Sequence, residues 1–101
     1  MEIKFTQQDN ITTAHLIGRL DTPASQEISQ NMDELQAAAA HTLILDCSEL
    51  EYISSSGLRI FLTLRKTAAS KGGKVIIKSI SPVIRQVFMM TGFLNLFEIQ
   101  N

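Results

Sequence analysis

The residues with the most chemistry to offer lie together at Ser54, Ser55, Ser56 and Gly57. Before them comes an apolar run, Leu43 to Leu45, with the length and composition of a buried strand. Asp46, Ser48 and Glu49 then break that run with turn-forming polar residues, and a second short approach leads from Leu50 to Ile53. After Gly57, Ile60, Phe61, Leu64 and Ala68 recur at helical spacing. The serines therefore stand where a loop enters a helix. A hydroxyl there can cap free backbone N–H groups, and the positive end of the helix dipole suits a negative charge. Such a cluster is either a cap or a place where something is attached.

Other reactive types are scattered. Ser56 as a nucleophile would lack the glycine two residues upstream that a nucleophile elbow uses, and no base stands near it in sequence. His15 falls in a predicted strand and His41 at a helix end, with no cysteines at ligand spacing, so no metal site is expected. Cys47 follows a buried strand and reads as a small hydrophobe. Gly72-Gly73-Lys74 is like the end of a phosphate loop. However, the upstream glycine is missing and a strand follows, so it reads as a helix stop. Met89-Met90 beside Phe88 reads as core filling, with an adaptable binding surface as the alternative. Asp21 is a helix cap on its own merits, and Asp46 is a turn-maker before it is a functional carboxylate. No catalytic constellation emerges. The chain reads as a non-enzyme without cofactor or metal.

The elements that must position the serines follow from periodicity. Ile3 and Phe5 alternate with Glu2, Lys4 and Thr6 as in an edge strand, Gln8-Asp9-Asn10 is a turn, and Ile11 to Leu20 returns as a hairpin. Asp21-Thr22-Pro23 starts a helix whose apolar face, Ala24, Ile28, Met32, Leu35 and Ala39, is expected to run unbroken to Ala40. Arg65, Lys66 and Lys71 sit toward the C-terminal end of the helix after the serines, where cations are favourable. Val75 to Ile80 is β-rich, Ser81-Pro82 opens a short helix ended by Gly92, and Leu94 to Ile99 is a last strand or a terminal turn. The order β-β-α-β-α-β-α-β predicts an α/β fold. Its mixed sheet would have a parallel core, right-handed crossovers and an N-terminal hairpin, packed with amphipathic helices.

The totals agree. The 101 residues form one domain (1–101), and 45% hydrophobic with 19% charged residues is ordinary for a folded chain. A net charge of −1 gives no footprint for nucleic acid and no polybasic patch for a membrane. The single cysteine cannot form an internal disulfide, and the N-terminus lacks an apolar core of signal-peptide length. No apolar run approaches the roughly 18 residues of a spanning helix. A soluble cytoplasmic protein without membrane insertion is expected, and its even charge balance gives no reason to expect other than a monomer when free.

Taken in order, these segments resemble the STAS family, specifically the small single-domain antagonists of bacterial anti-sigma factors. The resemblance covers nearly the whole chain. It rests on GRLDT (Gly18 to Thr22), LILDCSEL (Leu43 to Leu50), YISSSGLRIFL (Tyr52 to Leu62), GGKVIIKSIS (Gly72 to Ser81) and PVIRQVFMMTGFLNLFEI (Pro82 to Ile99). It implies a STAS fold and a binding protein rather than an enzyme. Unphosphorylated members bind an anti-sigma factor that is also a serine kinase with a histidine-kinase-like ATP site, and sigma factor is released. That kinase phosphorylates the serine before the glycine of a D-S-[ST]-G-like segment, and a PP2C-type phosphatase reverses the step. Carried onto this chain, the phosphoacceptor is Ser56, with Ser55 the second choice. Asp21, Thr22 and the segment Ser54, Ser55, Ser56, Gly57, Leu58 and Arg59 would form much of the partner-facing surface. This chain has Ser54 where the family motif usually carries aspartate, and serine replaces only the capping role of that carboxylate. A second reading keeps the fold without the switch, as a fixed subunit of a lipid-transport ATPase or a stress-signalling assembly. A third, an anion-binding enzyme domain at the same helix mouth, lacks base, metal set and glycine-rich loop.

Overall fold

Each change of periodicity along the chain becomes an element in the computed structural model, which describes residues 1–100. The hairpin is β1 (Glu2–Gln8) and β2 (Ile11–Leu20), paired antiparallel from Glu2↔Ile17 to Gln8↔Ile11. Then follow α1 (Thr22–Ser29), α2 (Asp33–Ala39), β3 (Thr42–Ile53), α3 (Ser55–Lys71), β4 (Lys74–Lys78), α4 (Pro82–Thr91), a 3₁₀ turn at Phe93–Asn95 and β5 (Glu98–Gln100). The sheet order is β1-β2-β3-β4-β5, with every pair after the hairpin parallel. This is the expected α/β sheet. Strands that advance one place at a time in one direction, joined by right-handed crossovers, keep their helices on a single face. The contact of Phe61 on α3 with Phe88 on α4, ring centroids 6.1 Å apart and edge to face, fits that arrangement.

The core lies between that face and the helices. Alternate residues of the strands, among them Ala14, Leu16, Leu43, Leu45, Val75 and Ile77, pack against Phe61, Leu64, Ile84 and Phe88. The intervening residues line the uncovered face, where Thr13, Ile44, Ile76 and Glu98 stand side by side in register. Cys47 is fully buried on the core side, and burial followed by the charge of Asp46 pushes its thiol up to about 12, so it stays protonated and inert.

Three stretches differ from the sequence-based expectation, as do Met89 and Met90, which read as core filling but lie exposed on the outer side of α4, while of these three neighbours Phe88 alone is buried. The helix expected from Asp21 to Ala40 is two helices. The Asn31 side-chain amide donates to the Glu27 carbonyl at 3.0 Å and its backbone N–H to Ile28 at 2.9 Å, so the asparagine closes α1. The chain then restarts at Asp33, with Leu35, Ala38 and Ala39 buried. Next, Asp46, Ser48 and Glu49 do not end a strand, and β3 continues through them to Ile53. The Ser48 N–H donates to Asp46 Oδ1 at 3.0 Å, which is turn chemistry. The sheet absorbs it as register shifts against β2 between His15 and Ile17 and again between Gly18 and Arg19. Gly18 sits there at φ +106°, a conformation L side chains rarely adopt. Finally, Leu94 to Ile99 holds both expected alternatives, the 3₁₀ turn and then β5. Arg65 of α3 secures this segment, donating from Nε to the Leu96 carbonyl at 2.8 Å.

Candidate functional site

The C-terminal ends of β2 and β3 deliver two helix starts side by side. Asp21 caps α1, its Oδ1 accepting from the Ala24 N–H at 3.0 Å, and Pro23 stands in the first turn. Ser54 caps α3 in the same manner, its Oγ accepting from the Gly57 N–H at 3.1 Å. The Ser54 N–H in turn donates to the Leu20 carbonyl at 2.8 Å, which ties the start of α3 to the end of β2. A Cβ on Gly57 would lie 2.7 Å from Leu20 Cγ, so glycine lets α3 settle onto the strand ends at this point.

This geometry separates the three serines. Ser54 is 8% exposed and fully engaged as a cap. Ser55 is exposed. Ser56 is half-buried and borders an open groove of about 510 Å³ between α1 and α3, whose far wall carries Thr22, Ser25, Gln26, Ser29 and Gln30. Arg59 is exposed and lines the same groove, as does Thr22 at the start of α1, whereas Asp21 is taken up in capping that helix and is not among the lining residues. Gly57 and Leu58 point inward and are buried. Of the segment singled out from the sequence, Thr22, Ser55, Ser56 and Arg59 thus offer surface, while Ser54, Gly57 and Leu58 hold that surface in place.

Two surface residues escaped sequence reasoning. Arg19 and Tyr52 are register partners one step before Leu20 and Ile53, and the Arg19 guanidinium lies 4.4 Å from the Tyr52 ring centroid. Tyr52 remains 41% exposed, two residues before Ser54 in the chain. Their shared location follows from parallel pairing of segments some thirty residues apart, which no local pattern announces.

A second polar cluster lies on the uncovered sheet face. His15 Nδ1 is 3.0 Å from Asp46 Oδ2, and its Nε2 is 3.4 Å from Thr6 Oγ1. The histidine therefore engages Thr6 and Asp46. Among the described residues no group of three His, Cys, Asp or Glu side chains could hold a metal ion. Burial raises the Asp46 pKa, but hydrogen bonds from Ser48 and His15, with the nearby His15 charge, outweigh it and hold the carboxyl below its ordinary 3.8. A carboxyl depressed in the folded state stabilises above its unfolded value, and the contribution is lost as pH falls through the folded one. Asp46→Asn is therefore expected to destabilise the domain by about 1–2 kcal/mol near neutrality. The gap to the parent should close in strong acid. Urea titrations of both proteins at several pH values check this, and a gap independent of pH would refute it.

Among the described residues no helix is long and apolar enough to cross a membrane. The family model for the STAS domain matches residues 2–101. BtrV of Bordetella bronchiseptica is 27% identical over 101 residues, covering 100% of this chain and 87% of its own length. An anti-sigma F factor antagonist of Paenibacillus polymyxa is 25% identical over 100 residues, 98% of this chain and 86% of the relative. Among solved structures, the phosphorylated form of the Bacillus cell fate determinant SpoIIAA aligns with a TM-score of 0.74 at 22% identity, over 99% of this chain and 91% of that one. That likeness carries the fold, and the family match carries the assignment: the chain belongs to the STAS domain family.

Proposed function

We propose that this protein is an anti-sigma factor antagonist controlled at Ser56. Unphosphorylated, it binds an anti-sigma factor that is also a serine kinase with a histidine-kinase-like ATP site, and the sigma factor is released. Phosphorylation of Ser56 by that kinase ends the interaction, and a PP2C-type phosphatase restores it. The protein itself performs no catalysis in this cycle. The observation that carries the reading is the division of labour among the serines: Ser54 is consumed as a cap, whereas Ser56 presents its hydroxyl at a groove edge beside exposed Ser55 and Arg59. The Paenibacillus relative bears the anti-sigma F factor antagonist name, and a SpoIIAA structure is of a phosphorylated form. Both support the reading.

Physical chemistry favours a switch at the surface over one that unfolds the domain. A phosphate adds roughly −1.5 to −2 charges at neutral pH, and at the first turn of α3 an anion is tolerated. An interface fitted to a neutral hydroxyl would instead meet charge, bulk and a desolvation cost. Ser54 supplies the cap that an aspartate would supply, without its charge. Arg19, Tyr52 and Arg59 then become the side chains through which a partner gains affinity, since tyrosine and arginine dominate interface energetics.

Phosphosite mapping by mass spectrometry on protein isolated from its own cells tests the proposal, with co-purifying partners identified in the same sample. A partly phosphorylated Ser56 together with an ATP-binding anti-sigma factor is the expected result. A wholly unmodified protein in a stable complex with a transport ATPase or a larger signalling assembly would overturn it in favour of the fixed-subunit reading.

A further inference from the structure

We propose that Arg59 is the domain's own counter-charge for a phosphate on Ser56, so that modification folds this cation onto the α1–α3 groove and withdraws it from the partner-facing surface. The inference rests on the reading of Ser56 as the modified residue and extends it to the form the modified site takes.

The argument begins with helical spacing. Ser56 and Arg59 are three residues apart on α3, which places their Cβ atoms about 5–6 Å from one another on one face. Both border the groove against α1. Its α1 wall offers only hydroxyls and amides, from Thr22, Ser25, Gln26, Ser29 and Gln30, and among its lining residues there is no carboxylate and no cation besides Arg59. The acids of α1 and its cap are not among those lining residues. Asp21 is engaged with the Ala24 N–H, and Glu27 of α1 lines the cavity against β1 on the other side of that helix.

Arg59 is free to take up this role. The ion pairs among the described residues are Lys4–Glu2, His15–Asp46 and Lys74–Glu98, and none involves it. A planar guanidinium matches a phosphate with paired N–H donors, a fit that a lysine ammonium lacks. On the α1 side the Ser25 hydroxyl already donates to the Asp21 carbonyl at 2.8 Å, which leaves the Gln26 and Gln30 amides as the remaining long donors. Phosphorylation would then change the surface twice, by adding a dianion and by removing an exposed cation.

The test installs phosphoserine at position 56 during translation, so that no kinase is needed, and follows the phosphate by ³¹P NMR across pH. Arg59→Gln is compared with the parent, and circular dichroism confirms that both are folded. The phosphate's second pKa is expected to rise by about half a unit in Arg59→Gln, because an adjacent cation favours the dianion. The melting temperature should fall in the phosphorylated variant but not in the unphosphorylated one. Identical titration curves for the two phosphorylated proteins would overturn the proposal. Partner affinity is read separately. If phosphorylation leaves it unchanged, the switch fails, whereas Arg59's role stands or falls on the titration alone.

Discussion

Ser56→Asp is expected to lower affinity for the anti-sigma factor by at least about thirtyfold, roughly 2 kcal/mol, while leaving the domain as stable as its parent. The two halves have separate causes. Position 56 is half-buried at the groove edge, so a carboxylate there meets whatever the partner places against the hydroxyl, and an unpaired charge in an interface is costly. The same carboxylate lies in the first turn of α3, where negative charge is neutral to stabilising. Ser55→Asp is the control. That side chain is exposed and lies outside the groove, so its effect on affinity should be several-fold smaller. Ser54→Ala should show the opposite pattern, losing about 1 kcal/mol of stability with its cap. Calorimetric titration and thermal melting of the three variants measure both quantities. Equal affinities for Ser56→Asp and the parent would remove Ser56 from the switch.

Gly73→Ala is expected to cost about 3 kcal/mol of stability, far from the serines and without changing any surface side chain. A Cβ at this position would collide with the backbone oxygens of Ala39 and His41 and with the carbonyl carbon of Ala40. These are main-chain atoms at the junction of α2 and β3, and they cannot swing aside as a side chain can. The junction is also fixed from the other direction. The Gly73 N–H donates to the Ala68 carbonyl at 2.9 Å, and the Lys74 N–H donates to the His41 carbonyl at 2.7 Å. Relief of the clash therefore means displacing the start of β4 or of β3 in the centre of the sheet. For a domain of this size the melting temperature should drop by roughly 12–20 °C. A drop of only a few degrees would show that α2 and β4 do not approach as closely as described.

Both predictions concern residues that the sequence marks only in part. Gly72-Gly73 reads as a helix stop, and Gly72 does end α3 at φ +77°. The reason for the second glycine lies in another segment, the α2–β3 junction, and becomes visible only once β4 lies beside β3. The serines show the same limit. Their place at a helix start follows from the apolar spacing after Gly57, and the STAS resemblance points to Ser56. The assignment of Ser54 to capping and of Ser56 to the groove edge comes from the tertiary fit of α3 against Leu20 and α1.

The elements that local patterns determine are those with strong periodicity and explicit ends: the hairpin, the capped starts at Asp21, Ser54 and Ser81, the stops at Gly72 and Gly92, and the strand–helix alternation that implies a parallel sheet. Local patterns misjudge Asp46 to Glu49 and Gln30 to Met32, because turn-forming side chains bend a strand or divide a helix according to what the sheet and core can accommodate. The pairings of Arg19 with Tyr52 and of His15 with Asp46, and the facing of Ser56 with α1, join segments distant in sequence. Their cause is strand register and helix packing, free energies that reside in contacts between elements and leave no periodic trace along the chain.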